Sequence, residues 1–232
     1  MSGGPAPPLL NKLVWPAIVT SLMVALTLYL GGWQVQRLAW KTALLAQIDQ
    51  GELAPPTRLT VQSPAFSRVL LTGHFRSESA LYGVEVRSTV TGPAMGAQLV
   101  RAFERDDAVP VMVDLGWVPD GPPPPPPEGQ VTVEGYVRPA EFPVRFGAAD
   151  DPVSHRFYAL DPTAIGHSLA LSDVAPFTVV LLGPSRPGVY PEPATALPRP
   201  VNNHFTYALT WFGMAAAGTI IFAIYARKTL RT

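Results

Sequence analysis

The sequence predicts a membrane protein of the α+β class: two transmembrane helices flanking a β-rich extracytoplasmic domain, built as an antiparallel sheet or a small barrel. Three observations predict it. Leu13 to Gly32 and Tyr207 to Ala226 are apolar runs without a charged residue. Each is about 20 residues long, enough to cross roughly 30 Å of hydrocarbon. Between them stand all 17 acidic residues and 13 of the 17 basic ones, in an interval of short β-branched segments punctuated by Gly, Pro and Asp.

The elements follow in chain order. Residues 1–12 form a short Pro- and Gly-rich tail with no Arg- and Ser-rich presequence. That suits a bacterial inner membrane better than an organellar precursor. The span 13–32 exceeds the apolar core of a signal peptide. Trp33, Gln34 and Arg37 follow it where a small-residue cleavage site would stand, so it reads as a retained anchor. Val35, Leu38, Leu45 and Ile48 keep helical spacing, and the helix continues to about residue 50, before Gly51 and Pro55-Pro56. The domain 51–200 carries strands at Phe66 to Phe75, Gly96 to Glu104, Val109 to Val118, Gln130 to Val137 and Pro176 to Leu182. Asp106-Asp107 makes a tight hairpin connection, and one short helix lies near Thr163 to Leu169. The six prolines Pro122 to Pro127 read as a stiff polyproline II spacer in an exposed loop, with a docking site for a proline-binding module as the sharper alternative. After Gly183 a proline-rich linker leads to the second span, 201–226, and to a basic tail, 227–232.

Charge sets the orientation. Lys12, Arg227, Lys228 and Arg231 lie on the outer flanks of the spans. Positive flanks stay in the cytoplasm, so both termini are expected there and the main domain in the periplasm. The absence of cysteine removes disulfides, thiolate metal sites and cysteine nucleophiles together. No glycine-rich phosphate loop and no nucleophile-elbow serine is present. His74, His155 and His167 lack the i+3 or i+4 partners of a helical metal site. Nothing here predicts an enzyme, and no nucleic acid is expected among its partners.

His204 stands apart. Asn202 or Asn203 caps the second span, which puts His204 in its first turn. Ionisable groups at membrane depth are functional suspects. The positive end of a helix dipole suits a neutral imidazole, the form that a metal, haem iron included, requires of its ligand. Tyr207, Ala208 and Trp211 share its face, with Ala215 and Gly218 further down. Small residues there leave room for a planar ring or for close helix packing, so a haem ligand and a structural interface histidine both fit. At the matching edge of the first helix, Trp33, Arg37, Trp40 and Lys41 share one face. Two cations flanked by two indoles fit carboxylates such as haem propionates, and equally lipid phosphates.

Gly32-Trp33-Gln34 with Arg37 and Trp40-Lys41, then Gly116-Trp117-Val118-Pro119, then Asn202-Asn203-His204 through Ala208-Leu209-Thr210-Trp211-Phe212 closely resemble the Surfeit locus protein one (Shy) family. These are assembly factors of cytochrome c oxidase. The resemblance covers nearly the whole chain. It implies a chaperone of respiratory-chain biogenesis that binds haem a transiently and assists its insertion into the catalytic subunit of the oxidase. The bilayer and, as a further candidate partner, haem a synthase complete its surroundings. His204 falls at the proposed haem ligand. Arg37 and Lys41 then neutralise propionates, and Trp33, Tyr207 and Trp211 complete the cofactor-binding set. A scaffold that stabilises the oxidase subunit without touching haem is the alternative. One departure stands out: the family carries an Asn-Arg pair before Gly-Trp-Val-Pro, whereas this chain has Asp114-Leu115.

Overall fold

The computed structural model describes residues 9–106, 108–143, 145 and 147–231. Most of the tail 1–12, Asp107 of the expected hairpin connection, and Thr232 of the basic tail therefore lie outside the described residues. The chain divides into two units, one of the helical ends (to Ala46 and from Pro200) and one of the interval Gln47–Arg199.

The helical unit contains most of α1 (Leu9–Leu53) and all of α3 (His204–Thr229). Among the described residues these two are the helices long and apolar enough to cross a membrane. They run antiparallel, and their seam is read from four contacts. His204 meets Gln34, and the Gly31 backbone lies so close to Phe212 that a Cβ there would sit 2.6 Å from its ring. Lower down Val24 touches Gly218, and the Tyr225 hydroxyl donates to the Lys12 carbonyl at 3.0 Å. Ala208 and Ala215 are buried, as small residues at a close helix crossing should be.

The last turns of α1 belong to the second unit. Ile48 is fully buried, and Arg199 pairs with Asp49 at 3.0 Å and Glu52 at 2.5 Å. Among the described residues seven strands make one sheet: β1 (Thr57–Arg58), β2 (Arg68–Thr89), β3 (Gly92–Arg105), β4 (Ala108–Pro119), β5 (Val131–Pro139), β6 (Arg156–Phe157) and β7 (Phe177–Leu181). The sheet is mixed, which corrects the expected antiparallel sheet or small barrel. Pairs β1–β2, β2–β6 and β4–β7 are parallel. The long β2 pairs β5 through residues 68–73 and β3 through 74–89. No residue of β2 pairs with both, because the strand passes from one neighbour to the other at Gly73-His74.

Strand β4 is buried at every position from Val111 to Val118, because both faces of the sheet are covered. Val69, Phe103, Val113 and Val179 pack on one face. Ala102, Met112, Phe157 and Leu160 pack on the other, under α2 (Pro162–Ser168). Helix α2 starts where its sequence says it should: the Asp161 carboxylate accepts from the amides of Thr163 (2.9 Å) and Ala164 (3.3 Å), with Pro162 at the first position.

Two expected features are built differently. The expected strand Phe66 to Phe75 runs on to Thr89, and its part from His74 forms with β3, which includes Gly96 to Glu104, a long hairpin that turns at Val90-Thr91. The bulge between Phe75 and Ser79 frees carbonyls that buried Arg101 collects, donating through Nη1 to Arg76 and Ser77 and through Nη2 to Pro124 at 2.7 Å. That last bond ties the exposed proline run to the sheet. The linker after Gly183 is also held: Glu192 exchanges two backbone bonds with Trp117, at 2.8 and 3.0 Å. This contact explains the glycine of Gly-Trp-Val-Pro. Gly116 has φ +118°, and a Cβ there would lie 2.0 Å from the Glu192 carbonyl oxygen.

Candidate functional site

His204 is the first residue of α3. Asn203 occupies the cap position, but its side chain makes no capping bond, contrary to the expected asparagine cap. Asn202 instead reaches α1, its Nδ2 donating to Thr42 Oγ1 at 3.4 Å, and its buried Oδ1 has no partner. The imidazole is anchored from the side. His204 Nδ1 lies 2.7 Å from Oε1 of buried Gln34. With the carboxamide oxygen accepting, Nδ1 carries the proton, and in the neutral ring Nε2 is then the nitrogen with the lone pair. A ligating histidine has its other ring nitrogen fixed in this way by an acceptor.

Sequence reasoning placed Gln34 in a motif and gave it no role. A signal was available: it is a carboxamide two residues beyond an uncharged run, and a polar group at that depth requires a partner.

The face above it is ordered by stacking. The Arg37 guanidinium lies 5.7 Å from the Trp33 ring and 5.4 Å from the Trp40 ring, a cation between two indoles. Lys41, one turn further, is half-buried. Tyr207 is exposed and Trp211 half-buried on α3. The structure thus brings His204 and Gln34 into contact, and Arg37 with Trp33 and Trp40. It shows no bond from Lys41, Tyr207 or Trp211 to the imidazole. Among the described residues no group of three metal-ligating side chains occurs, so His204 is the candidate metal ligand by itself.

The order of these features along the chain decides the relationship. The SURF1 family profile matches residues 21–216, from within the first apolar run to the middle of α3. The chain belongs to the SURF1 family. It is 27% identical over 227 residues to Surfeit locus protein 1 of Xenopus tropicalis, covering 86% of this chain and 72% of that protein. It is 26% identical to a SURF1-like protein of Rickettsia felis, over 91% of this chain and 98% of the relative. Against Surfeit locus protein 1 of Mus musculus the identity is 28%, over 90% and 75% of the two chains.

Within this SURF1 chain the departure at Asp114-Leu115 now has a place. Leu115 joins the apolar core, and its extra residue makes the bulge between the Leu99 and Val100 pairings. Asp114 is 2% exposed and accepts the Gly116 amide at 3.0 Å through Oδ1. Burial pushes its carboxyl up to about 6 from an ordinary 3.8, against the lowering effect of that bond and of Arg138 and Arg87. Burial likewise pushes the Tyr136 hydroxyl up to about 12.

Proposed function

We propose that this protein is a membrane-anchored assembly factor that captures haem a on His204 and passes it to the catalytic subunit of cytochrome c oxidase. The observation that carries the reading is the Gln34–His204 bond. It engages Nδ1, leaves Nε2 as the donor atom, and fixes the ring on the seam of two apolar helices. Membership of the SURF1 family supports the same reading. Haem a is cargo here, and its iron supplies the coordination site that a neutral imidazole fills. Arg37, held between Trp33 and Trp40, is pre-oriented to meet a carboxylate through its planar fork, while Lys41 acts as a more mobile charge beside it. One protein ligand suits capture followed by release, with no covalent chemistry at the site.

The test is the spectrum of the detergent-solubilised protein purified from two hosts, one that makes haem a and one that does not. A haem a Soret band in the first preparation only is expected. A colourless protein that co-purifies with the oxidase subunit from both would replace haem capture with scaffolding.

Both apolar helices cross the inner membrane on this reading, with the sheet domain in the periplasm and both termini inside. The basic residues Arg227, Lys228 and Arg231 after the second span set that direction. Alkaline phosphatase fused after Pro127 should be active. An inactive fusion there, with an active cytoplasmic reporter at the same point, would reverse the orientation.

A further inference from the structure

The sheet domain holds a cavity of about 390 Å³ that the haem reading does not use. Glu85 and Arg87 of β2, Asp114 of β4, Tyr136 and Arg138 of β5, and Glu192 line it. Both guanidiniums are already matched. Arg87 bonds Glu85 at 2.9 Å and Glu192 at 3.3 Å. Arg138 bonds Glu141 at 2.7 Å and the Tyr82 hydroxyl at 3.1 Å. Asp114 has no such partner. Its one hydrogen bond is the Gly116 amide on Oδ1, and Oδ2 accepts nothing from the described residues. Arg138 and Arg87 act on it only through space, and a buried carboxylate that no cation bonds is costly.

Three carboxylates face two guanidiniums on these walls, so the missing charge is positive. The volume falls in the range of a small-molecule site, roughly 300 to 1,000 Å³, and exceeds what a lone ammonium fills. A planar guanidinium can meet a carboxylate with two parallel bonds and lay its face on an aromatic ring such as Tyr136, whose hydroxyl makes no bond to the described residues. Free arginine would bring its own carboxylate into a site already rich in them. An arginine within a polypeptide would not.

We propose that this cavity receives the guanidinium of an arginine side chain presented by a partner polypeptide, with Asp114 as the carboxylate that binds it. The site lies wholly in the sheet domain, and its occupation is independent of haem.

Calorimetric titration of the full detergent-solubilised chain with N-acetyl-arginine N-methylamide tests this. At about pH 7.5 the probe should saturate below about 10 mM. Asp114→Asn should weaken it at least about tenfold, since asparagine keeps the Gly116 acceptor and loses the charge. Unmodified arginine, with its free carboxylate, should bind more weakly than the blocked probe. On the wild-type chain, binding should weaken at about pH 5, where the Asp114 carboxyl takes up a proton in competition with the probe. That arm needs no variant to fold. Absence of saturation, equal binding by Asp114→Asn, or a flat pH response overturns the site. Equal binding of free arginine overturns the polypeptide as its source.

Discussion

Replacing His204 by alanine should abolish the haem a Soret band of the purified protein while leaving it in the membrane. The apolar run from Tyr207 to Ala226 does not need an imidazole to insert. The seam of α1 and α3 also survives the change, because it rests further down on Gly31 against Phe212 and on buried Ala208 and Ala215. What disappears is His204 Nε2, the ring nitrogen that the bond to Gln34 leaves free. Gln34→Leu provides the graded comparison. It keeps the volume and removes the acceptor that holds the ring, and loss of such a supporting bond weakens metal affinity by about 10- to 100-fold rather than completely. Full loss in His204→Ala with partial loss in Gln34→Leu is therefore the expected pattern. An unchanged band in His204→Ala removes the residue as ligand. Equal and complete loss in both would mean that the pair holds the helices together and that any haem site depends on the seam.

How much of this was legible in the sequence depends on the range of the contact. The apolar runs, the helical spacing that carries α1 past the first of them, and the short helix near Thr163 to Leu169 are local signals, and local physics wrote them. The outer arms of the β2–β3 hairpin were not legible. Arg76-Ser77-Glu78-Ser79 is polar, and Gly83, Gly92 and Pro93 look like loop punctuation, whereas the sheet accommodates them with two bulges and a two-residue turn. The mixed sheet was hidden for a similar reason. Hairpin signals predict antiparallel neighbours, but β7 returns beside β4 only after the chain has passed through β5, β6 and α2. In the candidate site, His204 was legible by position and the Trp33–Arg37–Trp40 stack by helical spacing. Gln34 as its partner was not, because 170 residues separate the two. The same holds for Asp114: its departure from the family pattern was visible, while its burial depends on strands at both ends of the domain.

Asp114→Asn should stabilise the sheet domain at about pH 8 and leave it nearly unchanged at about pH 4. The folded carboxyl is pushed up to about 6 from 3.8 because burial disfavours its charged form more than the Gly116 amide, Arg138 and Arg87 favour it. The sign follows from which state binds protons. Between these two values the folded chain keeps a proton that the unfolded chain has released, so stability falls as pH rises through the window. Above about 6 both states are ionised and the penalty is complete. Below about 3.8 both are protonated and it vanishes. The gap between the two values corresponds to ~3 kcal/mol, and in a domain of this size that is roughly 6 to 12 °C of melting temperature. Asparagine cannot ionise, and its carboxamide oxygen still accepts from Gly116. The variant's gain, measured as the shift in thermal midpoint in detergent, should therefore grow with pH across this window. An equal gain at both pH values would assign it to packing, and a loss at pH 8 would show that the carboxylate already has a cation. The residue that weakens the apo domain at neutral pH is the one that an incoming guanidinium would neutralise. Arginine-peptide binding should therefore return much of this stability to the wild-type chain and none of it to the variant.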